Sequence, residues 1–103
     1  MKKRYVYLVK SENGLYKIGV SNNVERRIKQ LQTGSPDKIT MIDKFLSDYP
    51  FKVESTLHRI NNIDNISGEW YSLDENTVNN FHNECETIES NFKCMDEHQN
   101  PFL

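Results

Sequence analysis

Two groups of side chains in this chain of 103 residues have types and spacing that suit chemistry. The first runs from Tyr7 to His58 and mixes acid–base groups with cations: Tyr7, Lys17, Arg27, Glu54 and His58. Side chains alternate between the faces of a strand, so Tyr5 and Tyr7 share one face of the first extended segment. In the next, Lys17 and Gly19 share a face, while Tyr16 and Ile18 take the other. Gly19 removes a side chain where something approaches the sheet closely. Arg27 lies three residues after Val24 and four before Leu31, which puts it at the border of a buried helical stripe, whereas Arg26 points to solvent. Glu54 and His58 are i, i+4 neighbours on one helix surface. A tyrosine, a lysine, an arginine, a glutamate and a histidine would then converge over one face of a hairpin, a set suited to holding an anion and to acid–base work.

The second group is His82-x-x-Cys85 with Cys94-x-x-x-His98, whose gaps resemble those of a zinc site. The helix expected there argues against it. At about 100° per residue, Cys85 and Cys94 fall on opposite sides of one continuous helix, and no Gly or Pro near Ser90-Asn91 breaks it. Cys85 also belongs to the apolar stripe, which makes it a buried free thiol. Two cysteines do not make a disulfide framework, so a reducing compartment is expected.

The elements that must position these residues follow from pattern. Tyr5–Lys10 alternates aromatic and aliphatic residues and reads as a strand. Asn13-Gly14 marks a hairpin turn, and Leu15–Val20 returns antiparallel. Ser21-Asn22-Asn23 offers N-cap residues to a helix carrying Val24, Ile28 and Leu31 at i, i+4, i+7, closed by Thr33-Gly34-Ser35-Pro36. Ile39–Leu46 is a third strand. Ser47 or Asp48 would cap a second helix, with Pro50 in its first turn and Val53, Leu57 and Ile60 buried. Asn61–Gly68 reads as a polar loop and Glu69-Trp70-Tyr71 as a short extended segment, Trp70 being a core anchor rather than a base-stacking platform. Ser72 with Glu75 forms a capping box. Beyond it, Val78, Phe81, Cys85, Ile88, Phe92 and Met95 predict one long helix, ending in a frayed tail from Gln99.

Charge is divided along the chain. Residues 1–60 hold twelve Lys and Arg against six Asp and Glu, whereas residues 61–103 hold one against nine, which together give the net charge of −2. A basic first part can bind polyanions although the whole chain is mildly acidic. No apolar run reaches the roughly 18 residues of a membrane span. Tyr5–Val9 is too short for the apolar region of a signal peptide, so a cytoplasmic protein that does not engage a membrane is expected.

Tyr5-Val6-Tyr7, Tyr16-Lys17-Ile18-Gly19, Glu25-Arg26-Arg27, Glu54-Ser55-Thr56-Leu57-His58 and Gly68-Glu69-Trp70-Tyr71 together resemble the GIY-YIG nuclease superfamily. The similarity is greatest to the phage-type DNA-binding branch whose second motif reads K-I-G, and it covers roughly residues 5 to 74. The resemblance implies a three-stranded antiparallel sheet flanked by helices, cutting DNA phosphodiesters with a divalent metal. It makes Tyr7 the tyrosine of the first motif, Arg27 the catalytic arginine and Glu54 the metal ligand. One carboxylate suffices for Mg²⁺, which keeps most of its waters and also binds the substrate phosphate. A guanidinium matches phosphate with two parallel hydrogen bonds. Two departures stand out. Tyr5 replaces the glycine of the first motif, and Lys17 stands where a second tyrosine is expected, with Tyr16 one position away and facing the other side unless a bulge flips it. Lys17 would either stabilise phosphate charge or serve as a base, or it marks a site that binds DNA without cutting it.

The expectation is therefore an α+β protein with a three-stranded antiparallel sheet flanked by helices and a long C-terminal helix. Residues 1–74 form the nuclease or DNA-binding core, residues 75–98 an amphipathic helix packed on the same domain, and residues 99–103 a flexible tail. Its function is that of a small DNA endonuclease or nickase using Mg²⁺ or Mn²⁺ held by Glu54, with Tyr7, Lys17, Arg27, Glu54 and His58 as site residues. Lys3, Arg4, Arg26, Lys29 and Lys44 are its phosphate contacts. The alternatives are a DNA-binding module without turnover and a protein-interaction domain. The C-terminal helix would serve either a homodimer or a protein partner, or else pack on the sheet face not used for substrate.

Overall fold

A computed structural model of the chain describes residues 3–62, 65–67 and 70–99, the side chains of 65–67 and 97–99 excepted. The elements are β1 (Arg4–Ser11), β2 (Tyr16–Ser21), α1 (Val24–Thr33), β3 (Ile39–Ser47), α2 (Pro50–Ile60), β4 (Asn65–Ser67), β5 (Trp70–Tyr71), α3 (Glu75–Asn79) and α4 (Phe81–Gln99). They form an α+β fold around one antiparallel sheet in the order β3-β1-β2-β5-β4. None of the described helices is long and apolar enough to cross a membrane.

The first hairpin turns at Gly14, whose φ of +91° is one that side-chain-bearing residues rarely adopt. Its strands pair in unbroken register from Tyr5 opposite Ser21 to Lys10 opposite Tyr16. β3 covers the other edge of β1, with a bulge between the pairs Leu8–Asp43 and Val9–Met41 that leaves Ile42 half-exposed. The central strand is thus buried on both sides of the sheet. On one side Tyr7 and Val9 pack with Val24 and Ile39, supported by Ile28, Leu31 and Trp70, which fixes α1 there. On the other, Val6, Leu8, Ile18, Phe45 and Tyr71 receive Val53 and Leu57 of α2 and Phe81, Cys85 and Ile88 of α4.

The three expected strands become five. β4 and β5 are three and two residues long, too short to show any periodicity, and β4 lies in the segment expected to be a loop. The single C-terminal helix is two. Its start is capped by Asp74, which accepts from the Thr77 N–H at 2.7 Å, and not by Ser72. Asn80 interrupts it: its backbone and side-chain amides both bond back to the Asn76 carbonyl, the latter at 2.9 Å, closing α3. The Asn80 carbonyl then accepts the Glu84 N–H at 2.8 Å, starting α4. Along α4 the apolar stripe fades outward, from buried Phe81, Cys85 and Ile88 through half-buried Phe92 to exposed Met95. Ile60 of the α2 stripe is 50% exposed, at the mouth of a cavity of about 260 Å³ beside α3. α4 reaches Gln99, where a tail was expected, and residues 100–103 lie outside the described ones.

Neither Ser47 nor Asp48 is the N-cap of α2. That position is Tyr49, which makes no capping bond, with Pro50 following it. The Ser47 hydroxyl still accepts from the Tyr49 N–H at 2.9 Å, and a carboxylate from across the molecule backs it. The Glu89 carboxylate on α4, 8% exposed, accepts from the Ser47 hydroxyl and from the N–H groups of Asp48 (3.0 Å) and Tyr49 (3.4 Å). Lys93 lies 3.8 Å from the same carboxylate and 3.3 Å from Asp48. Removing that carboxylate strands buried donors at the helix start. Glu89→Ala is expected to lower the unfolding free energy by about 1–3 kcal/mol, and Glu89→Gln by less, as read from urea denaturation midpoints.

Candidate functional site

The chemistry-bearing residues of β1 and β2 lie on the α1 side of the sheet. Tyr7 is 1% exposed and stands opposite Gly19. A Cβ placed on Gly19 would collide with the Tyr7 hydroxyl and Cζ, so the phenol lies across bare backbone. Lys17, 5% exposed, is two residues along on the same face of β2. Its ammonium sits 5.9 Å from the centre of the Trp70 ring. Tyr16 packs with the cluster on the far side, and no bulge interrupts the β1–β2 register to bring it round.

Between α1 and the first hairpin turn runs an open cleft of about 610 Å³, lined among others by Lys17, Trp70 and Arg27. Arg27 donates from Nη1 to Gln30 Oε1 at 3.2 Å. The walls of the cleft are tied together. Gln32 donates to the Asp37 carbonyl (2.9 Å) and accepts from the Ile39 N–H (2.8 Å). Glu12 in the hairpin turn exchanges two bonds with the Lys38 backbone, at 3.0 and 2.8 Å. Trp70, expected only as a core anchor, is half-buried in the α1-side cluster and also forms a wall of this cleft. Gln30 and the loop at Gly34–Asp37 carry no sequence signal as lining residues, because only folding brings that loop beside β2.

Glu54 and His58 do not join the others over one face, as the hairpin pattern suggested. Their helix packs on the opposite side, through Val53 and Leu57. His58 reaches the sheet beside β5. β5 pairs only with Tyr16 and Lys17 of β2, and just beyond it the His58 ring nitrogen Nε2 meets the Ile18 carbonyl at 3.0 Å, stacked 5.7 Å from the Tyr71 ring. Glu54, half-buried, is one turn earlier on that helix surface. The arrangement thus has a Tyr–Lys–Arg part on the α1 side and a Glu–His part at the β2 edge. Glycine 19, adjacent to Ile18, lies between them. The motif residues Gly68 and Glu69 fall outside the described residues.

Arg26 and Lys29 project from α1 into solvent, and half-buried Arg4 begins β1. Lys3 lies 3.6 Å from Asp48. Lys44 is held 3.3 Å from Glu25 and 4.6 Å from the Tyr5 ring centre. A hydrogen bond from its own backbone N–H and then the Lys44 ammonium lower the Glu25 pKa. Among the described residues no three His, Cys, Asp or Glu side chains gather closely enough to hold a metal. A lone carboxylate at Glu54 suits only an ion that takes its remaining ligands from water and substrate, the habit of Mg²⁺.

The cysteines differ sharply. Cys85 is buried, and burial pushes its pKa up to about 12, whereas Cys94 is exposed. Ellman's reagent at pH 8 is expected to modify Cys94 promptly in the native protein and Cys85 only after denaturation. Gly19→Ala would force the Tyr7 ring from its place and is expected to cost about 1–3 kcal/mol of stability, measured by urea denaturation.

The model of one protein family, the T5orf172 domain, matches residues 4–86. No curated protein and no solved structure matches the chain. The match corrects the GIY-YIG resemblance drawn from the short motifs, because the family whose model fits is a different one. Several of those motif residues have structural duties that any sheet of this kind imposes: Tyr16 and Ile18 pack in the core, and Gly19 makes room for a ring. The match spans every element from β1 into α4 that frames the cleft, and by it the chain belongs to the T5orf172 domain family.

Proposed function

We propose that this protein binds DNA on the α1 side of its sheet and hydrolyses a phosphodiester there. The reading is carried by one juxtaposition: the Tyr7 phenol laid over Gly19, with Lys17 on the same face and Arg27 across the cleft. Charge supports it. α1 carries Arg26, Arg27 and Lys29, while Glu84, Glu86, Glu89 and Asp96 lie on α4 in the layer across the sheet. Membership in the T5orf172 domain family is compatible with a nuclease-like or DNA-binding role.

In this reading Arg27 grips the phosphate through paired N–H donors, and Lys17 lowers the cost of charge gathering on it. The Tyr7 hydroxyl orients the attacking water. Glu54, on the helix across the sheet, is the carboxylate that would hold Mg²⁺ or Mn²⁺, an ion that would supply Lewis-acid chemistry to water and phosphate. His58 is a positioning residue, tethering α2 to the β2 backbone. Arg26, Lys29 and Arg4 contact flanking phosphates. Lys3 and Lys44 join them once DNA competes with Asp48 and Glu25 for their ammonium groups. Each contact releases counterions, so binding falls steeply with salt.

The burial of Tyr7 and Lys17 favours a second reading, a DNA-binding module without turnover. Nicking of supercoiled plasmid with Mg²⁺ or Mn²⁺ separates the two. Cleavage is expected to require metal and to fall by about 100-fold or more in Glu54→Ala and Arg27→Ala. Salt-sensitive binding without nicking would establish the module instead, and equal nicking by wild type and Glu54→Ala would overturn the assignment of the site.

A further inference from the structure

We infer that the cleft between α1 and the first hairpin turn takes a single unstacked nucleotide, which makes single-stranded DNA the preferred ligand over intact duplex. The inference rests on the DNA reading above and adds to it the form of the DNA. At about 610 Å³ the cleft falls within the range of small-molecule sites, roughly 300–1,000 Å³. Its ties from Gln32 to Asp37 and Ile39, and from Glu12 to Lys38, hold it open without a ligand. Little ordering is then left for binding to impose.

Its chemistry is that of a nucleotide site. Lys17 and Arg27 supply positive charge, Asn13 and Gln30 supply amides able to meet base edges, and Trp70 supplies an aromatic wall. Bases stack on aromatic rings without sequence preference, and a cationic groove holds the backbone beside them. The burial of Lys17 decides between strand forms. Lys17 is almost wholly buried, at 5% exposure, so a phosphate of a stacked duplex resting on the surface stays away from it. A strand free to splay its bases can enter. Trp70 is also half-buried on β5, which pairs directly with Lys17, so the ring and the cation are held together by the sheet.

Trp70 is the only tryptophan in the chain, so its fluorescence reports on this cleft alone. The test titrates the full chain with a fluorescein-free oligothymidylate 12-mer and with a blunt duplex of mixed sequence at one salt concentration. The single strand is expected to quench Trp70 emission saturably and to bind about 10-fold or more tightly than the duplex. Trp70→Leu should weaken single-strand binding by about 10- to 100-fold, with Trp70→Phe restoring most of the loss. The wild-type quench needs no substitution, so a folding defect in Trp70→Leu does not blunt the test. Salt-sensitive duplex binding of equal strength, with no change in Trp70 emission on either ligand, would overturn the inference and leave the DNA reading standing. Binding of neither ligand would overturn both.

Discussion

The structure depends on a central strand that has no solvent side. Val6, Tyr7, Leu8 and Val9 are all buried, alternate residues feeding two separate cores. Burying each aliphatic residue of this kind contributes about 1.5–3 kcal/mol, so both layers are needed to satisfy one strand. A half-exposed strand would have tolerated a single layer of helices. Here α1 must cover one side and α2 with α4 the other, and the flanking strands β2 and β3 are drawn into register against it.

That requirement places candidate site side chains inside the core. Tyr7 belongs to the α1-side cluster while its hydroxyl lies over Gly19, and Lys17 is buried two residues from it along β2. The same packing that seats α1 on the sheet therefore sets where Arg27 stands relative to both. The two layers also keep charge apart. The acidic α4 is held across the sheet from basic α1, so a chain of slightly negative net charge presents a cationic face.

α2 is positioned from outside itself. Its N-cap residue makes no side-chain cap, its start is held by the Ser47 hydroxyl and by Glu89 from α4, and His58 near its end is fastened to the β2 backbone. Glu54 lies between these two tethers. The start of its helix is consequently tied to the C-terminal helix, although α4 is on the far side from the cleft. The terminal helix, of which the family match covers only the first residues, is in this sense part of the frame rather than an appendage to it.

Local pattern was enough for the strong elements. Period-two alternation marked β1 and β2, Asn13-Gly14 marked their turn, and the i, i+4, i+7 spacing of Val24, Ile28 and Leu31 marked α1. These signals act over a few residues, and burial reinforces them. β5 was legible only as the extended segment at Trp70-Tyr71 and not as a member of the sheet, and β4 carried no signal, since strands of two or three residues form only because neighbours supply their hydrogen bonds. The break at Asn80 was hidden because the apolar spacing runs through it without a slip. The residue types suited to phosphate chemistry were legible in the chain from Tyr7 to His58. Their grouping was not, because alternation and helical spacing assign a side chain to a face of its own element and say nothing of which layer that element joins. Only the double burial of β1 decided that α1 and α2 lie on opposite sides of the sheet. That choice joined Lys17, Arg27 and Trp70 around one cleft and left Glu54 and His58 on the helix across the sheet, with His58 reaching the Ile18 carbonyl of β2.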